Sequence, residues 1–369
     1  MSSWDTAKNI LCVRLDSIGD VLMTTPAIRA LKTHPDCRIT LLTSAAGATV
    51  APLIPEIDQV IAYDAPWLKA TAPRSSSSPE YVMIERLRQE KFDAAVVFTV
   101  YSQNPLPSAF LCYMADIPLR LAHCHENVYQ LLTDWVKDPE PEQFTRHEVQ
   151  RQLDLVANVG FDIQETRMAI QIPAGTIDRV QSLLVSDGLI LDQPWIVIHP
   201  GATAPSRRYP PEQYAIVARK LVQDVGMQIV FTGTQAEQAL VQQIQSEMGV
   251  PSFSLVDRLT LTELAALLSI TPLLLSNNTG PVHLAAAVGT AIVDLYALTN
   301  LQHTPWGVPN RVLFHDVPCR ICYKSVCPEG HHHCLRLVEP ETVVEAVLNL
   351  LHETSSNLPI NLPIPLLTV

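Results

Sequence analysis

The junction between a short apolar segment and a helix near the start of the chain constrains the fold more than any other feature. Residues 10–13 are all apolar, as in a fully buried strand, and Gly19 allows a tight turn. Asp20 follows where a helix needs an acceptor for its free N–H groups. The stretch 10–28 therefore predicts strand, loop and helix, with the loop at the strand end where open α/β sheets bind ligands.

The rest of the chain repeats this alternation of strands and helices. We predict strands at 38–42, 59–62, 94–98, 195–199, 228–232, 273–276 and 291–295. We predict helices at 80–90, 145–156, 211–224, 236–248, 262–269, 281–288 and 340–352, and an irregular segment at 119–141. Such alternation is typical of parallel sheets built from right-handed βαβ units.

The length of the chain predicts more than one domain. At 369 residues it exceeds the size of one ordinary hydrophobic core. We place an N-terminal domain at 1–172, a C-terminal domain at 173–352 and a proline-rich apolar tail at 353–369. We expect the tail to be extended, with contact to a membrane as the alternative.

Charge and hydropathy exclude several classes of function. The net charge of −12 argues against a nucleic-acid partner, although a local basic site for phosphate remains compatible with it. The chain has neither a leader pattern nor an apolar run that could span a bilayer, so we expect a cytoplasmic protein.

Three loops in the second half each end a predicted strand and open a helix, so their N–H groups can hold an anion. They are 199–203, which leads to Arg207 and Arg208, then 232–237, and 276–283. Together they predict a diphosphate site, with the two arginines neutralising charge and Glu237 accepting bonds from ribose hydroxyls. The alternative is ordinary turn and capping residues with solvated surface charges.

Familiar nucleotide and metal motifs are missing from the sequence. It has no GxGxxG pattern and no Walker lysine, so neither an NAD dehydrogenase nor a P-loop NTPase has motif support. It also lacks an Asp-x-Asp pair, the simplest clamp for a Mg²⁺-diphosphate. These absences favour a metal-independent reaction in which arginine and helix dipoles carry the charge.

The ordered set of segments 14–26, 200–202, 207–210 and 276–284 resembles glycosyltransferase family 9, which includes the ADP-heptose:lipopolysaccharide heptosyltransferases. The resemblance covers most of the chain. It implies the GT-B architecture, in which two Rossmann-like domains face a central cleft. It also implies an inverting enzyme that binds the acceptor mainly in the first domain and the nucleotide-sugar in the second.

The resemblance assigns roles to individual residues. Asp20 matches the catalytic base, and Arg207 stands where the family usually has a lysine near the donor phosphates. Acceptor-side candidates are Arg14, Ser17 and Gly19, and donor-binding candidates are Gly201, Ala202, Thr203, Arg208, Thr232, Gly233, Glu237, Asn278, Thr279, Gly280 and His283. For Asp20 the alternative is a helix N-cap without catalytic function, and for His283 it is packing.

Two positions depart from the family pattern. Asn278 stands where an aspartate is usual, and an amide can bind a sugar hydroxyl but brings no charge. Tyr209 replaces the usual tryptophan and keeps an aromatic face.

Four of the eight cysteines cluster late in the chain, at Cys319, Cys322, Cys327 and Cys334, with three histidines in the last gap. They could form a structural zinc site remote from catalysis, with reduced thiols or a local disulfide as alternatives. We expect no cofactor to be needed for catalysis.

The leading hypothesis is an inverting, metal-independent glycosyltransferase. It would move a heptose or related sugar from a nucleotide diphosphate donor to a lipid-linked saccharide, such as a lipopolysaccharide core, at the inner membrane face. A nucleotide-sugar epimerase or hydrolase of the same architecture is one alternative. A catalytically silent nucleotide-sugar-binding protein, suggested by Asn278, is the other.

Overall fold

The computed structural model describes residues 3–34, 36–68 and 71–355. The chain divides into two compact units, the first ending at Gln171 and the second beginning at Ile172. Each unit is built around its own parallel sheet with helices between the strands.

The first unit contains a six-stranded parallel sheet in the order β3-β2-β1-β4-β5-β6. Its strands are β1 (Asn9–Arg14), β2 (Arg38–Thr43), β3 (Gln59–Ala62), β4 (Ala94–Val97), β5 (Leu119–Cys124) and β6 (Asp134–Lys137). Its helices are α1 (Ile18–Lys32), α2 (Ala45–Ala48), α3 (Ser78–Glu90), α4 (Leu106–Met114) and α5 (Glu148–Ala157).

The second unit has six parallel strands in the order β12-β11-β10-β7-β8-β9. Its strands are β7 (Trp195–His199), β8 (Gln228–Phe231), β9 (Phe253–Ser254), β10 (Leu273–Asn277), β11 (Ala291–Leu295) and β12 (Asn310–Leu313). Its helices are α6 (Thr176–Ser186), α7 (Pro211–Gln223), α8 (Gln238–Met248), α9 (Leu261–Ile270), α10 (Gly280–Ala287), α11 (His333–Arg336) and α12 (Pro340–Ser355).

The two sheets have the same topology. In each, the first strand of the unit is flanked by the second and the fourth, which is the doubly wound Rossmann order. The strand order therefore reverses between β1 and β4 in the first unit and between β7 and β10 in the second. Ligands of such sheets bind at this switch point, outside the carboxyl ends of the strands.

Buried central strands explain why the sequence predicts the alternation of strands and helices. β4, β7, β10 and β11 are buried along their whole length, which matches continuous apolar runs covered on both faces of a parallel sheet. The helices between them are amphipathic or buried, and the last one, α12, packs on α7 and β11.

The expectation that 119–141 is irregular was wrong, because β5 and β6 lie there. Charged residues hide the strand pattern. Arg120 in β5 is buried, and its guanidinium is satisfied by loop carbonyls, including that of Leu131 at 2.8 Å from Nε. A sequence pattern treats such an arginine as an exposed polar residue, so a strand that buries one is not predicted.

No helix in the described part of the chain is long and apolar enough to cross a bilayer. The helix α12 continues to Ser355. The proline-rich segment 357–369, which we expected to be extended, lies outside the described residues.

Candidate active site

A fully buried arginine ends the first strand of the first unit. The Arg14 guanidinium contacts Asp16 (Nε to Oδ2, 3.1 Å), Asp20 (Nη2 to Oδ1, 3.0 Å) and Glu148 (Nη1 to Oε1, 2.8 Å). One cation is therefore shared by three carboxyl groups in a site largely removed from water. Burial of excess negative charge favours retention of a proton by at least one of these carboxyls.

Asp20 is held in one orientation from both of its oxygens. Its Oδ1 faces Arg14, while its Oδ2 accepts hydrogen bonds from Ser17 N at 3.1 Å and Ser17 Oγ at 2.6 Å. Because α1 begins at Ile18, Ser17 is the N-cap, and Asp20 is the third helical residue in a capping box. The side chain keeps 15% exposure, so the capping bonds leave part of the carboxylate accessible.

Asp16 joins the two sides of the switch point in the first unit. Gln103, which follows β4, donates from Nε2 to Asp16 Oδ1 at 2.6 Å. Burial raises the pKa of the Asp16 carboxyl to about 6, and the neighbouring Arg14 charge only partly opposes this shift.

Glu148 reaches the same arginine from α5, which packs along α1. Its side chain is fully buried, and Gln152 Nε2 donates to the same oxygen at 2.6 Å. The other oxygen, Oε2, is buried without a hydrogen-bond partner among the described residues. Burial raises the pKa of Glu148, with Arg14 acting in the opposite direction.

In the second unit, an asparagine ties the first predicted anion loop to the third. Asn277, at the end of β10, donates from Nδ2 to the Pro200 carbonyl at 2.6 Å. Its Oδ1 accepts from the Tyr209 backbone N–H at 3.0 Å. These bonds cross the switch point between β7 and β10, so the two loops form one edge.

The second predicted loop packs on the first through Glu237. Its Oε2 accepts from Thr234 N at 2.8 Å and Thr234 Oγ1 at 3.0 Å, which caps the turn before α8. A Cβ added to Gly201 would lie 1.8 Å from Glu237 Oε1, so the observed contact requires a glycine there. Glu237 thus has a structural role, and its contact with a nucleoside stays a prediction.

The third loop leaves an open helix N-terminus. Thr279 is the N-cap of α10 and Gly280 its first residue, and both are partly exposed. Apart from its chain neighbours and the backbone of its own helix, no described residue would lie within 4 Å of a Cβ on Gly280. Pro281 has no N–H, and Val282 N donates to the Thr279 carbonyl at 3.0 Å. An anion can therefore approach the N–H groups of Thr279 and Gly280 and the positive end of the helix dipole.

The two neighbouring arginines differ in how they are engaged. Arg208 donates from Nε to the Ala202 carbonyl at 2.7 Å and so braces the first loop. The Arg207 side chain is partly exposed, and within residues 3–34, 36–68 and 71–355 nothing accepts a hydrogen bond from it. Its donors are available to an anion, as are the exposed groups of Thr203.

Other predicted donor-binding residues lie inside the loops rather than on their surface. Thr232 is buried, and its Oγ1 lies 3.0 Å from His199 Nδ1, while Gly233 beside it is partly exposed. His283, the fourth residue of α10, is buried, and its ring meets the His303 ring edge-on. Tyr209 is also buried, donating to the Val338 carbonyl at 2.7 Å, so its aromatic face serves the core.

Asn278 is 4% exposed and lies beside a buried acid. Its Nδ2 donates to Asp294 Oδ2 at 2.9 Å and to the His303 carbonyl at 2.8 Å. A carboxyl group thus lies next to the Asn278 amide, on Asp294 of β11.

The late cysteines gather in one region without forming a metal centre in the described chain. Burial raises the pKa of Cys334, and Cys319, Cys322 and Cys327 are close enough to add to the effect. Cys319 Sγ lies 3.7 Å from His331 Nε2. All eight thiols are free, and no group of three or more ligands is arranged to hold a metal ion in the part of the chain that the structure describes.

Several of these groups had no assigned role in the sequence. Asp16, Gln103, Glu148, Asn277 and Asp294 are buried or half-buried polar residues at the two switch points. Asn277 and Asp294 stand at the carboxyl ends of predicted strands, which is a signal that could have identified them. Glu148 is 134 residues from its partner Arg14, and nothing local in the sequence indicates that contact.

Several known proteins are similar to this chain. The family model for glycosyltransferase family 9 (heptosyltransferase) matches residues 81–333. Lipooligosaccharide heptosyltransferase 2 of Campylobacter jejuni is 31% identical over 42% of this chain, a match that spans only half of that relative. Lipopolysaccharide heptosyltransferase 2 of Salmonella typhimurium is 25% identical over 93% of this chain and 99% of its own length.

Solved structures share the fold. The structure of E. coli ADP-heptose LPS heptosyltransferase II is 23% identical and has a TM-score of 0.73, with 94% of this chain and 99% of that chain covered. Two doubly wound parallel sheets together with this likeness confirm the predicted α/β fold of the GT-B class. The extent of the family match confirms the resemblance read from the motifs, and the chain belongs to glycosyltransferase family 9.

Proposed function

We propose that this glycosyltransferase transfers a heptose or related sugar from an ADP-heptose-type donor to a lipopolysaccharide core or other lipid-linked saccharide, with inversion at the anomeric carbon. The acceptor binds to the first unit and the donor to the second. The observation that carries the proposal is the Asp20 carboxylate, oriented by Arg14 and Ser17 yet still partly exposed. The names of the relatives support the substrate classes.

In the proposed reaction the acceptor hydroxyl attacks the anomeric carbon as Asp20 removes its proton. The bond from that carbon to the diphosphate oxygen breaks in the same displacement, which inverts the configuration. Because Arg14 is charged and fully buried, it favours the ionised form of Asp20 that a base requires.

The leaving diphosphate needs positive charge that is not already neutralised. We assign this role to the Arg207 side chain and to the N–H groups of Thr279 and Gly280 at the start of α10, because no described residue accepts a hydrogen bond from them. Exposed Thr203 and partly exposed Gly233 border the same edge of the sheet. No metal and no other cofactor is required in this proposal.

Because the proposed acceptor is lipid-linked, we propose that the enzyme works in the cytoplasm, in peripheral contact with the inner membrane face. A structural zinc ion at the late cysteines remains a separate proposal that metal analysis of the purified protein would decide. Zinc lost on substitution of Cys322 and Cys327 supports it, and metal-free native protein contradicts it.

The decisive experiment replaces Asp20 by asparagine, which keeps the size of the side chain and removes the base. We expect transfer to fall by about 10²–10⁴-fold, the usual contribution of a general base. Affinity for ADP-heptose, measured by calorimetry, should stay within about twofold. The matched control is Asp116→Asn, a change at an exposed carboxylate in the first unit that forms a surface ion pair with Arg88.

Three outcomes would contradict parts of the proposal. Near-normal turnover of the Asp20 variant removes the base assignment. Conversion of donor without acceptor indicates an epimerase or hydrolase. Donor binding without turnover over a broad acceptor panel indicates a silent binding protein.

A further inference from the structure

The Asn278 side chain has one orientation that its surroundings allow. One of its two terminal atoms lies 2.8 Å from the His303 carbonyl oxygen, which can only accept. That atom must be the nitrogen, whatever the protonation state of Asp294. The same nitrogen lies 2.9 Å from Asp294 Oδ2, so both of its hydrogens are used.

Asp294 is a buried acid that accepts a hydrogen bond from this amide. It is fully buried at position 294 in β11, directly beside Ser276 of β10 in the sheet register. Asn278 donates to its Oδ2, while its Oδ1 is buried and has no partner among the described residues. Burial raises the pKa of this carboxyl to about 8, with the Arg207 charge opposing the rise.

The other end of the amide is the part left for a ligand. No described group donates to Asn278 Oδ1, and this oxygen is not sealed from solvent. It lies in the third loop, one residue before the N-cap Thr279. The loop therefore offers donors from the helix N-terminus and, immediately beside them, a single neutral acceptor.

We propose that Asp294 is a positioning residue that locks the Asn278 amide, so that the third loop presents an acceptor to a hydroxyl of the donor sugar. This inference rests on the proposed function. Phosphate oxygens accept hydrogen bonds and would be repelled by an acceptor, whereas sugar hydroxyls can donate to it. A neutral amide, unlike a carboxylate, also places no negative charge close to the diphosphate.

The test compares two changes at the buried acid. Asp294→Leu removes the acceptor for the amide, while Asp294→Asn retains a carbonyl oxygen that can hold the amide nitrogen. We expect Asp294→Leu to weaken binding of ADP-heptose about tenfold and to leave binding of ADP unchanged, because ADP lacks the sugar. Asp294→Asn should restore most of the difference.

Asn278→Ala is measured in the same way, so that the proposal remains testable if Asp294→Leu does not fold. It should also lose about tenfold for ADP-heptose alone, and adding Asp294→Leu to it should cost no further affinity, because the two residues act as one unit. A merely structural role of Asp294 would instead lower the melting temperature and weaken both ligands equally.

The outcomes separate this inference from the proposed function. If the native protein binds neither ADP-heptose nor ADP, the proposed function is wrong. If it binds ADP-heptose more tightly than ADP, but Asn278→Ala and a folded Asp294→Leu keep that preference, the inference is overturned and the proposed function stands.

Discussion

At the switch point of the first unit, a fully buried arginine is shared by three carboxyl groups. At the switch point of the second unit, which has the same strand order, amides and backbone N–H groups line the edge, and no described group accepts a hydrogen bond from the Arg207 side chain. The same sheet topology is thus combined with two different charge distributions. The first pairs its buried cation with carboxyl groups of the same unit, and the second leaves hydrogen-bond donors available.

This difference separates a site built to hold a reactive group from one built to receive a ligand. In the first unit the charged groups must be paired within the protein, because an unpaired charge buried away from water lowers the stability of the fold. In the second unit an anion can supply the missing acceptor, since the Thr279 and Gly280 N–H groups donate to no described residue. Substitutions at the two sites should therefore affect different quantities, stability in the first and affinity in the second.

The largest expected effect is the loss of stability on Arg14→Met. The change leaves Asp16, Asp20 and Glu148 without their shared cation, and removal of one partner from a buried ion pair costs about 3–5 kcal/mol. Urea denaturation measures the free energy of unfolding. Arg167→Met, which breaks an exposed pair with Glu165, is the control and should give no measurable change. A loss below about 1 kcal/mol for Arg14→Met would contradict the idea that the buried carboxyls depend on Arg14 for their stability.

The two switch points should also differ in how stability depends on pH. The folded-state pKa is raised for Asp16 to about 6 and for Asp294 to about 8, above the unfolded value of about 3.9. For a raised pKa the folded state holds the proton more tightly, so the contribution is present below about pH 4 and is lost as pH rises to the folded value. Each group gives a slope of at most about 1.4 kcal/mol per pH unit.

Urea midpoints measured from pH 4 to 9 check this dependence. Asp16→Asn should remove the part of the decline that ends near pH 6, and Asp294→Asn the part that continues to about pH 8. Identical pH profiles for both variants and the native protein would mean that these carboxyls stay ionised in the folded state.

A smaller effect, on affinity alone, is expected at Gly280. Because a Cβ on Gly280 would meet no described residue outside its own helix and chain neighbours, Gly280→Ala should leave the melting temperature unchanged. A methyl group at the start of α10 should nevertheless obstruct a diphosphate, and we expect ADP binding to weaken about tenfold, or about 1.4 kcal/mol. Unchanged ADP affinity would place the diphosphate elsewhere.

Gly201→Ala is the matched change with the opposite result. Its new Cβ would overlap the Glu237 carboxylate and displace it from Thr234, which removes a helix cap. We expect a loss of about 1 kcal/mol in unfolding free energy, typical of a lost cap. Equal stability of the two alanine variants would contradict the contact between the first and second loops.

Local patterns predicted much of the fold. The strands β3, β7 and β11 have the predicted bounds, because each is an apolar run flanked by turn residues. The helix α4 and the strand β12 had no prediction, and β5 and β6 were read as irregular. In β5 the buried Arg120 breaks the apolar pattern, and loop carbonyls that accept its hydrogen bonds offset the cost of burying it.

By itself, the sequence determined the alternation of strands and helices, the anion-ready loops and the family motifs. These depend on residues close together along the chain, where periodicity and turn chemistry act. Only the tertiary structure decided that Glu148 meets Arg14 and that Asp294 holds Asn278. Both contacts join different elements, and their strength comes from burial, which arises when helices and strands pack and exclude water.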